Sequence, residues 1–231
     1  MSTAGHTSKA FDEDRSRLRA AISEMGGRAE HALREALRCL LERDLEGAAQ
    51  VVIDDAIIDA METEAESMAL EMIALRAPMA DDLREAVAAL KITGVVERIG
   101  DYAKNIAKRV PLLDSPSAIQ PVAMLPEMAR LASGLVHDAL DAFVQRDAEK
   151  AALVCGSDRQ LDDYYNSIFR ALLTYMMENP HNITPAAHLL FVAKHIERIG
   201  DHATNIAEMV YFAATGERIE DRPRGASPME G

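Results

Sequence analysis

Apolar residues recur three and four positions apart at Leu18, Ile22, Met25, Ala29, Leu33, Leu37 and Leu40. That spacing marks one face of an α-helix, which the pattern predicts from about Phe11 to Arg43 after a frayed start over residues 1–8. Gly26 and Gly27 weaken it by roughly 1 kcal/mol each relative to Ala. Asp44 is placed to cap a second helix running to about Arg76. Pro78 breaks the chain, and Asp81 or Asp82 can cap a third helix to about Leu113. A linker rich in Pro, Ser and Asp follows over residues 111–121. Three more helices are expected: Leu125 to Gln145, Asp147 to Glu178, and Thr184 to about Thr215, the last opening on Thr184 with Pro185 behind it. No segment alternates cleanly enough for a strand. Six helices of roughly 30 residues would each be about 45 Å long, and short connections make neighbours antiparallel.

The two halves of the chain repeat each other. Glu97-Arg98-Ile99-Gly100-Asp101 returns as Glu197-Arg198-Ile199-Gly200-Asp201, and Ala103, Asn105, Ile106 and Ala107 return 100 residues later. Upstream the offset is 103: Arg43-Asp44 matches Arg146-Asp147, and Asp55 and Asp59 match Asp158 and Asp162. The difference is a three-residue deletion at a loop, where length changes are tolerated. The expected fold is all-α: two tandem antiparallel three-helix bundles related by internal duplication, over 1–115 and 116–218, with a disordered tail over 219–231.

The third helix carries a core stripe of Ile92, Val96, Ile99, Ala103, Ile106 and Val110, with Glu97, Asp101 and Asn105 stacked on another face. Like charges four apart destabilise a helix by a few tenths of a kcal/mol, and this chain carries the pair twice. On the second helix Asp55, Asp59, Glu62 and Glu66 line one side, opposite Ile53, Ile57, Met61 and Met68. In the second half Asp158 and Asp162 begin the equivalent stripe, but Tyr165 and Phe169 replace the later acids. If the stripes face each other, four carboxylates converge in each half and need cations to neutralise them. All-oxygen donors favour hard ions such as Mg²⁺, Mn²⁺ or Ca²⁺, with iron also accommodated. The competing reading is a solvated acidic face, in which Arg98 and Arg198 pair with the acids on the surface.

Charge and composition narrow the classes. Lys and Arg number 25 against 38 Asp and Glu, a formal net charge of −13. Such a chain is repelled by a phosphate backbone and finds no general attraction to anionic lipid, so nucleic acid is not expected as the main partner, and no apolar run reaches about 18 residues, so no membrane insertion is expected. Two cysteines, Cys39 and Cys155, are too few for a disulfide scaffold and are expected to be buried small apolar residues in a reducing, intracellular setting. His188, His195 and His202 are expected to be ordinary side chains. No P-loop, dinucleotide fingerprint or nucleophile elbow is present. The one Glu-x-x-His, at Glu178 to His181, is interrupted by Pro180.

The doubled Glu-Arg-Ile-Gly-Asp with its Asn-Ile resembles the signature of the PhoU family of phosphate-signalling proteins. Arg76 to Arg84, Leu173 to Glu178 and Phe191 to Gly216 are also similar to that family, and the resemblance runs from about residue 11 to residue 220. It implies tandem three-helix bundles binding metal ions through paired E/D-x-x-x-D motifs. By match, one site would use Asp55, Asp59, Glu97 and Asp101, and the other Asp158, Asp162, Glu197 and Asp201, with Asn105 and Asn205 peripheral. The ions would be Mg, Mn, Fe or Zn. The resemblance further implies a cytoplasmic, non-enzymatic, homodimeric adaptor that restrains phosphate uptake and phosphate-starvation signalling. It would link the ATPase of the phosphate ABC transporter to a sensor histidine kinase. A metal-dependent carboxylate-bundle enzyme (an oxidase or phosphohydrolase) and a plain helical scaffold remain as alternatives at this point. Leu83, Val87 and Leu90, off the core stripe, are the residues expected at dimer or partner contacts.

Overall fold

In the computed structural model, residues 4–113, 119–157 and 159–219 are described, and short connections separate their helices. The first half comprises α1 (Ala4–Glu42), α2 (Leu45–Arg76) and α3 (Asp81–Ala107); the second comprises α4 (Leu125–Gln145), α5 (Ala148–Gly156), α6 (Arg159–Glu178) and α7 (Ile183–Thr215). α1, α2 and α3 pack on one another, and α4, α5 and α6 pack around α7. The halves meet along α3 with α7 and along α1 with α4. The boundary expected near residue 115 and the tail over 220–231 lie outside the described residues.

The duplication is visible in the corners. Arg43 and Arg146 both sit in the left-handed region at φ 57°. The next residue caps a helix in each case: Asp44 accepts from the Gly47 N–H at 2.8 Å, and Asp147 from the Lys150 N–H at 2.9 Å. Each capping carboxylate satisfies a helix-start N–H that would otherwise lack an intrahelical partner.

Several boundaries differ from the sequence pattern. α1 begins at Ala4, not near Phe11. Asp81 and Asp82 do not cap α3; they occupy its first turn, where carboxylates favour the helix dipole, and the cap position is Ala80 at φ 50°. α3 stops at Ala107 and passes into a 3-10 turn at Val110–Leu112, because Pro111 has no N–H to continue the ladder. Thr184 is not a cap either: Asn179 caps a 3-10 turn at Pro180–Asn182 that runs directly into α7. The single helix expected from Asp147 to Glu178 is two, since α5 ends at Gly156, a residue that weakens helix interiors. The second bundle's middle helix is therefore broken where the first bundle's α2 is continuous.

The α1 and α3 stripes are buried as the spacing predicts. The face of α2 is not the expected one. Its buried residues are Ala48, Val51, Asp55, Ile58, Ala65, Ala69 and Met72, while Ile53 and Ile57 are 64% and 44% exposed. Alanines share the core side with Val51, Ile58 and Met72, while Ile53 and Ile57 face outward. Asp55 stands in the core register, 6% exposed. Another acid does the same on α3: Glu85, seven residues before Ile92, is buried and ion-paired with Arg19, with Arg15 at 3.8 Å and with Arg146 of the second half at 3.3 Å. A buried carboxylate needs such partners, and this one ties α1, α3 and the α4–α5 corner together.

The glycine of each repeated motif is a packing position. A Cβ on Gly100 would stand 2.8 Å from Ile58 Cδ1, and one on Gly200 would overlap Leu161 Cδ2. Ile58 and Leu161 are themselves 103 residues apart, so the same knob enters the same gap in both halves. Gly200→Ala gains up to about 1 kcal/mol of helix propensity but forces overpacking worth about 1–3 kcal/mol. A net loss of about 1 kcal/mol is expected in urea denaturation, shrinking when Leu161→Ala is combined with it; additive losses would place the strain elsewhere.

Candidate functional site

Gly100 brings α2 onto α3, and the acids of the two helices come with it. A Cβ at Gly100 would lie only 3.6 Å from Asp55 Oδ1. Asp55 and Asp101 both pair with the Lys104 ammonium, which stands between them. Burial pushes the Asp55 carboxyl up against the pull of Lys104. Burial works against the charge on Lys104, yet hydrogen bonding to Asp101 and Asp55 carries its pKa upward. Glu97 is the most perturbed acid: burial first, then Asp101, Glu62, Asp59 and Asp55, push it up to about 7. Burial, Glu66 and Asp59 raise Glu62 as well. The first half thus gathers Asp55, Asp59, Glu97 and Asp101 into one electrostatic field, joined by Glu62. Asp59 is exposed, Glu97 and Asp101 are half-buried, and Asn105 is partly buried beyond them.

The second half is different. Asp158 lies outside the described residues. Glu197 has Lys194 at 2.7 Å from Oε1 and 2.6 Å from Oε2, and the same ammonium lies 5.2 Å from the Tyr165 ring. Asp162 and Asp201 are half-buried; Asn205 is exposed, with its Nδ2 3.5 Å from His202 Nδ1. Each half therefore sets one lysine against its acids, from different positions: three residues after Asp101 in the first, three before Glu197 in the second. Among the described residues, no three His, Cys, Asp or Glu side chains are drawn together tightly enough to hold a metal ion in this arrangement. The donor chemistry does suit hard cations, since every acid in the first cluster offers oxygen and Lys104 pairs with only two of the five, Asp55 and Asp101. Sequence reasoning missed Lys104, although its spacing from Glu97 and Asp101 puts it on their face.

The histidines have a role in joining the halves. Tyr102 and His202, equivalent in the repeat, meet across the seam of α3 and α7 with ring centroids 5.4 Å apart and His202 Nε2 3.3 Å from the Tyr102 hydroxyl. His195 packs on the other side of Tyr102 at 5.5 Å, and burial, with Arg198 and Arg109, holds it down to about 4. At the end of the seam Arg109 lies 3.2 Å from His188 Nδ1 and covers the Phe191 ring at 4.5 Å. Cys39 is buried as expected, whereas Cys155 is only partly so, with its Sγ 4.0 Å from the Thr204 carbonyl oxygen. Leu83 and Val87 are 39% and 36% exposed and line a groove of about 520 Å³ with Phe212, rimmed by Arg84, Lys91 and Arg218. Leu90 is instead partly buried against the core.

The family model described as the PhoU domain matches residues 22–110 and again 125–210. This chain belongs to the PhoU family. It is 55% identical over 224 residues to the phosphate-specific transport system accessory protein PhoU homolog of Zymomonas mobilis, covering 97% of this chain and 94% of that one. A Caulobacter vibrioides protein of the same description is 45% identical, with 95% and 96% covered. The crystal structure of PhoU from Pseudomonas aeruginosa superposes with a TM-score of 0.81 at 32% identity, over 90% of this chain and all of that one. The phosphate transport system regulatory protein PhoU from Streptococcus pneumoniae superposes at 0.84 and 27% identity, over 91% and 99%. The tandem helical bundle is thus the fold of this family, and the two model matches fall on the two halves.

The Glu97 environment has a pH signature. A free Glu titrates near 4.5 and Glu97 near 7, so the folded chain holds this proton more tightly. The associated stability is full below about 4.5 and is lost as pH rises through about 7. After allowance for solvent screening, chemical denaturation without divalent cations should show a loss of about 1 kcal/mol between pH 5 and pH 8, largely absent in Glu97→Gln. An unchanged slope in the variant would exclude Glu97 as its source.

Proposed function

We propose that this chain is a cytoplasmic adaptor of phosphate uptake that restrains transport and phosphate-starvation signalling. In this reading it links the ATPase of the phosphate ABC transporter to a sensor histidine kinase at the inner membrane. The observation that carries the proposal is that likeness to accessory proteins of the phosphate-specific transport system runs through both halves at nearly full length. Among the described residues no helix is long and apolar enough to cross a membrane, so contact with the transporter would be made through its subunits. The groove of Leu83, Val87 and Phe212 is the face offered to a second copy in a homodimer.

The carboxylate stripes would charge and shape this adaptor by holding cations, Mg, Mn, Fe or Zn. Asp55, Asp59, Glu97 and Asp101 would hold them in the first half, and Asp158, Asp162, Glu197 and Asp201 in the second, with Asn105 and Asn205 at the periphery. A bound cation supplies positive charge that lets crowded acids stay ionised together. The support is the first cluster itself, where burial first and then four neighbouring carboxylates raise Glu97. No side chain is assigned a catalytic role.

Deleting the gene is expected to leave phosphate-starvation genes active in phosphate-rich medium; normal repression in a strain without a paralogue would overturn the regulatory reading. Protein purified without chelator should carry bound metal that the Asp101→Ala and Asp201→Ala double variant loses. Metal-free wild type that also fails to gain thermal stability with Mn²⁺ would overturn the metal reading alone.

A further inference from the structure

Many cations of this chain are held by its own acids: Arg38, Lys104, Lys150 and Lys194, for example, each pair with carboxylates. Arg98, Arg109 and Arg198 form no ion pair with any described carboxylate, and all three stand on the α3–α7 seam. Arg109 covers the Phe191 ring, with Nη1 3.2 Å from His188 Nδ1, and the Arg198 guanidinium lies 5.9 Å from the Tyr102 centroid. Burial, then Arg98 and Arg198, hold the His202 imidazole below its ordinary range, and burial with Arg198 and Arg109 does the same to His195. These imidazoles are therefore neutral near pH 7, and the positive charge of the seam belongs to the three guanidiniums. Surface pairing of Arg98 and Arg198 with the neighbouring acids, one reading of the sequence, is not what the fold does. Arg98 acts on Glu62 through the field, beyond ion-pair range. Arg98 and Arg198 are exposed, and Phe191 is 51% exposed beside Arg109.

This setting selects the ligand. A guanidinium that lies over a ring by its face keeps its N–H edge for a planar anion, and a carboxylate fits that edge with two hydrogen bonds. Arg98 and Arg109 are eleven residues apart, about 16 Å at the helical rise, so no single small anion bridges them. The strip is also narrow. α2 packs beyond α3 and α6 beyond α7, and acids border it on both sides: Glu62, Glu97 and Asp101 on one, Asp162 and Glu197 on the other. A bilayer or a nucleic acid would press its phosphates against those acids, whereas one slender segment fits between them. A second copy of this chain offering the same seam would bring the same guanidiniums and be repelled.

We infer that the α3–α7 seam docks an acidic segment of a partner protein, whose carboxylates meet Arg98, Arg198 and Arg109 and whose apolar side chain covers Phe191. The site lies apart from the groove of Leu83, Val87 and Phe212, which occupies the opposite end of the same two helices. Charge complementarity fixes where such a partner binds: a chain with a net charge of −13 repels acidic segments over most of its surface, and this strip is where cations stand without acids of their own. The partner assignment rests on the adaptor reading above.

The test uses the full chain and two probes in turn, the ATPase subunit of the phosphate transporter and the cytoplasmic portion of the sensor kinase. Arg98→Gln combined with Arg198→Gln removes two of the guanidiniums, with unchanged thermal melting as the folding control. Affinity for at least one probe is expected to fall roughly 10-fold or more, the loss of two charge-assisted contacts, and wild-type affinity should weaken as salt is raised. Arg98→Lys combined with Arg198→Lys should recover part of the loss, since it keeps the charge without the planar fork. A benzophenone amino acid in place of Phe191 should cross-link to the same probe within a segment of net negative charge. A smaller loss against both probes, or a cross-link that is absent or falls outside such a segment, would overturn the inference and leave the adaptor reading standing. Dissociation of this chain's own dimer in the Gln variant, or its release from phosphatidylglycerol vesicles that the wild type binds, would assign the seam to a second copy or to lipid and overturn it too. Wild-type chain that binds neither probe would overturn both.

Discussion

The structure depends on how closely the middle helix of each half approaches the motif-bearing helix. Gly100 and Gly200 have no Cβ, so Ile58 and Leu161 enter the space a side chain would take. Close packing tolerates little extra volume at such a point. On the α2 side the approach carries Asp55 into the core register and sets Asp59 and Glu62 within the field of Glu97 and Asp101. The acid cluster is thus a consequence of a packing gap: without the glycine the helices would stand apart and the charges would be separately solvated.

Burying acids in this way has a cost that the fold meets with nearby cations. Lys104 stands between Asp55 and Asp101, Lys194 against Glu197, and three arginines around Glu85. In the first cluster Lys104 pairs with Asp55 and Asp101, while burial first and then the neighbouring acids push Glu97 up to about 7. In the second half Tyr165 stands where Glu62 does in the first, and Lys194 lies over its ring. The duplicated halves have thereby diverged in charge while keeping the same knob and gap. The seam between them keeps the symmetry in another form, since Tyr102 and its repeat mate His202 stack directly on each other.

Repeated geometry on two surfaces gives the chain a two-sided organisation. The α3–α7 side carries the motif helices, the seam of aromatic rings and the apolar groove of Leu83, Val87 and Phe212. The α1–α4 side carries two grooves whose linings largely correspond at the 103-residue offset.

The helical class, the duplication, the core stripes of α1 and α3 and the capping by Asp44 were legible along the chain. Each is a local or periodic property: spacing selects a face, and a capping side chain acts within three residues. The inward face of α2 was not legible, because Ile53 and Ile57 lie outside it and Asp55 within it, and only packing of Ile58 against Gly100 decides that rotation. The pairing of Lys104 with Asp55 across α2 and α3 and the three arginines on Glu85 were likewise settled by contacts between distant segments. Sequence spacing places residues on a face; the tertiary structure determines which face is buried, and hence which charges must find partners.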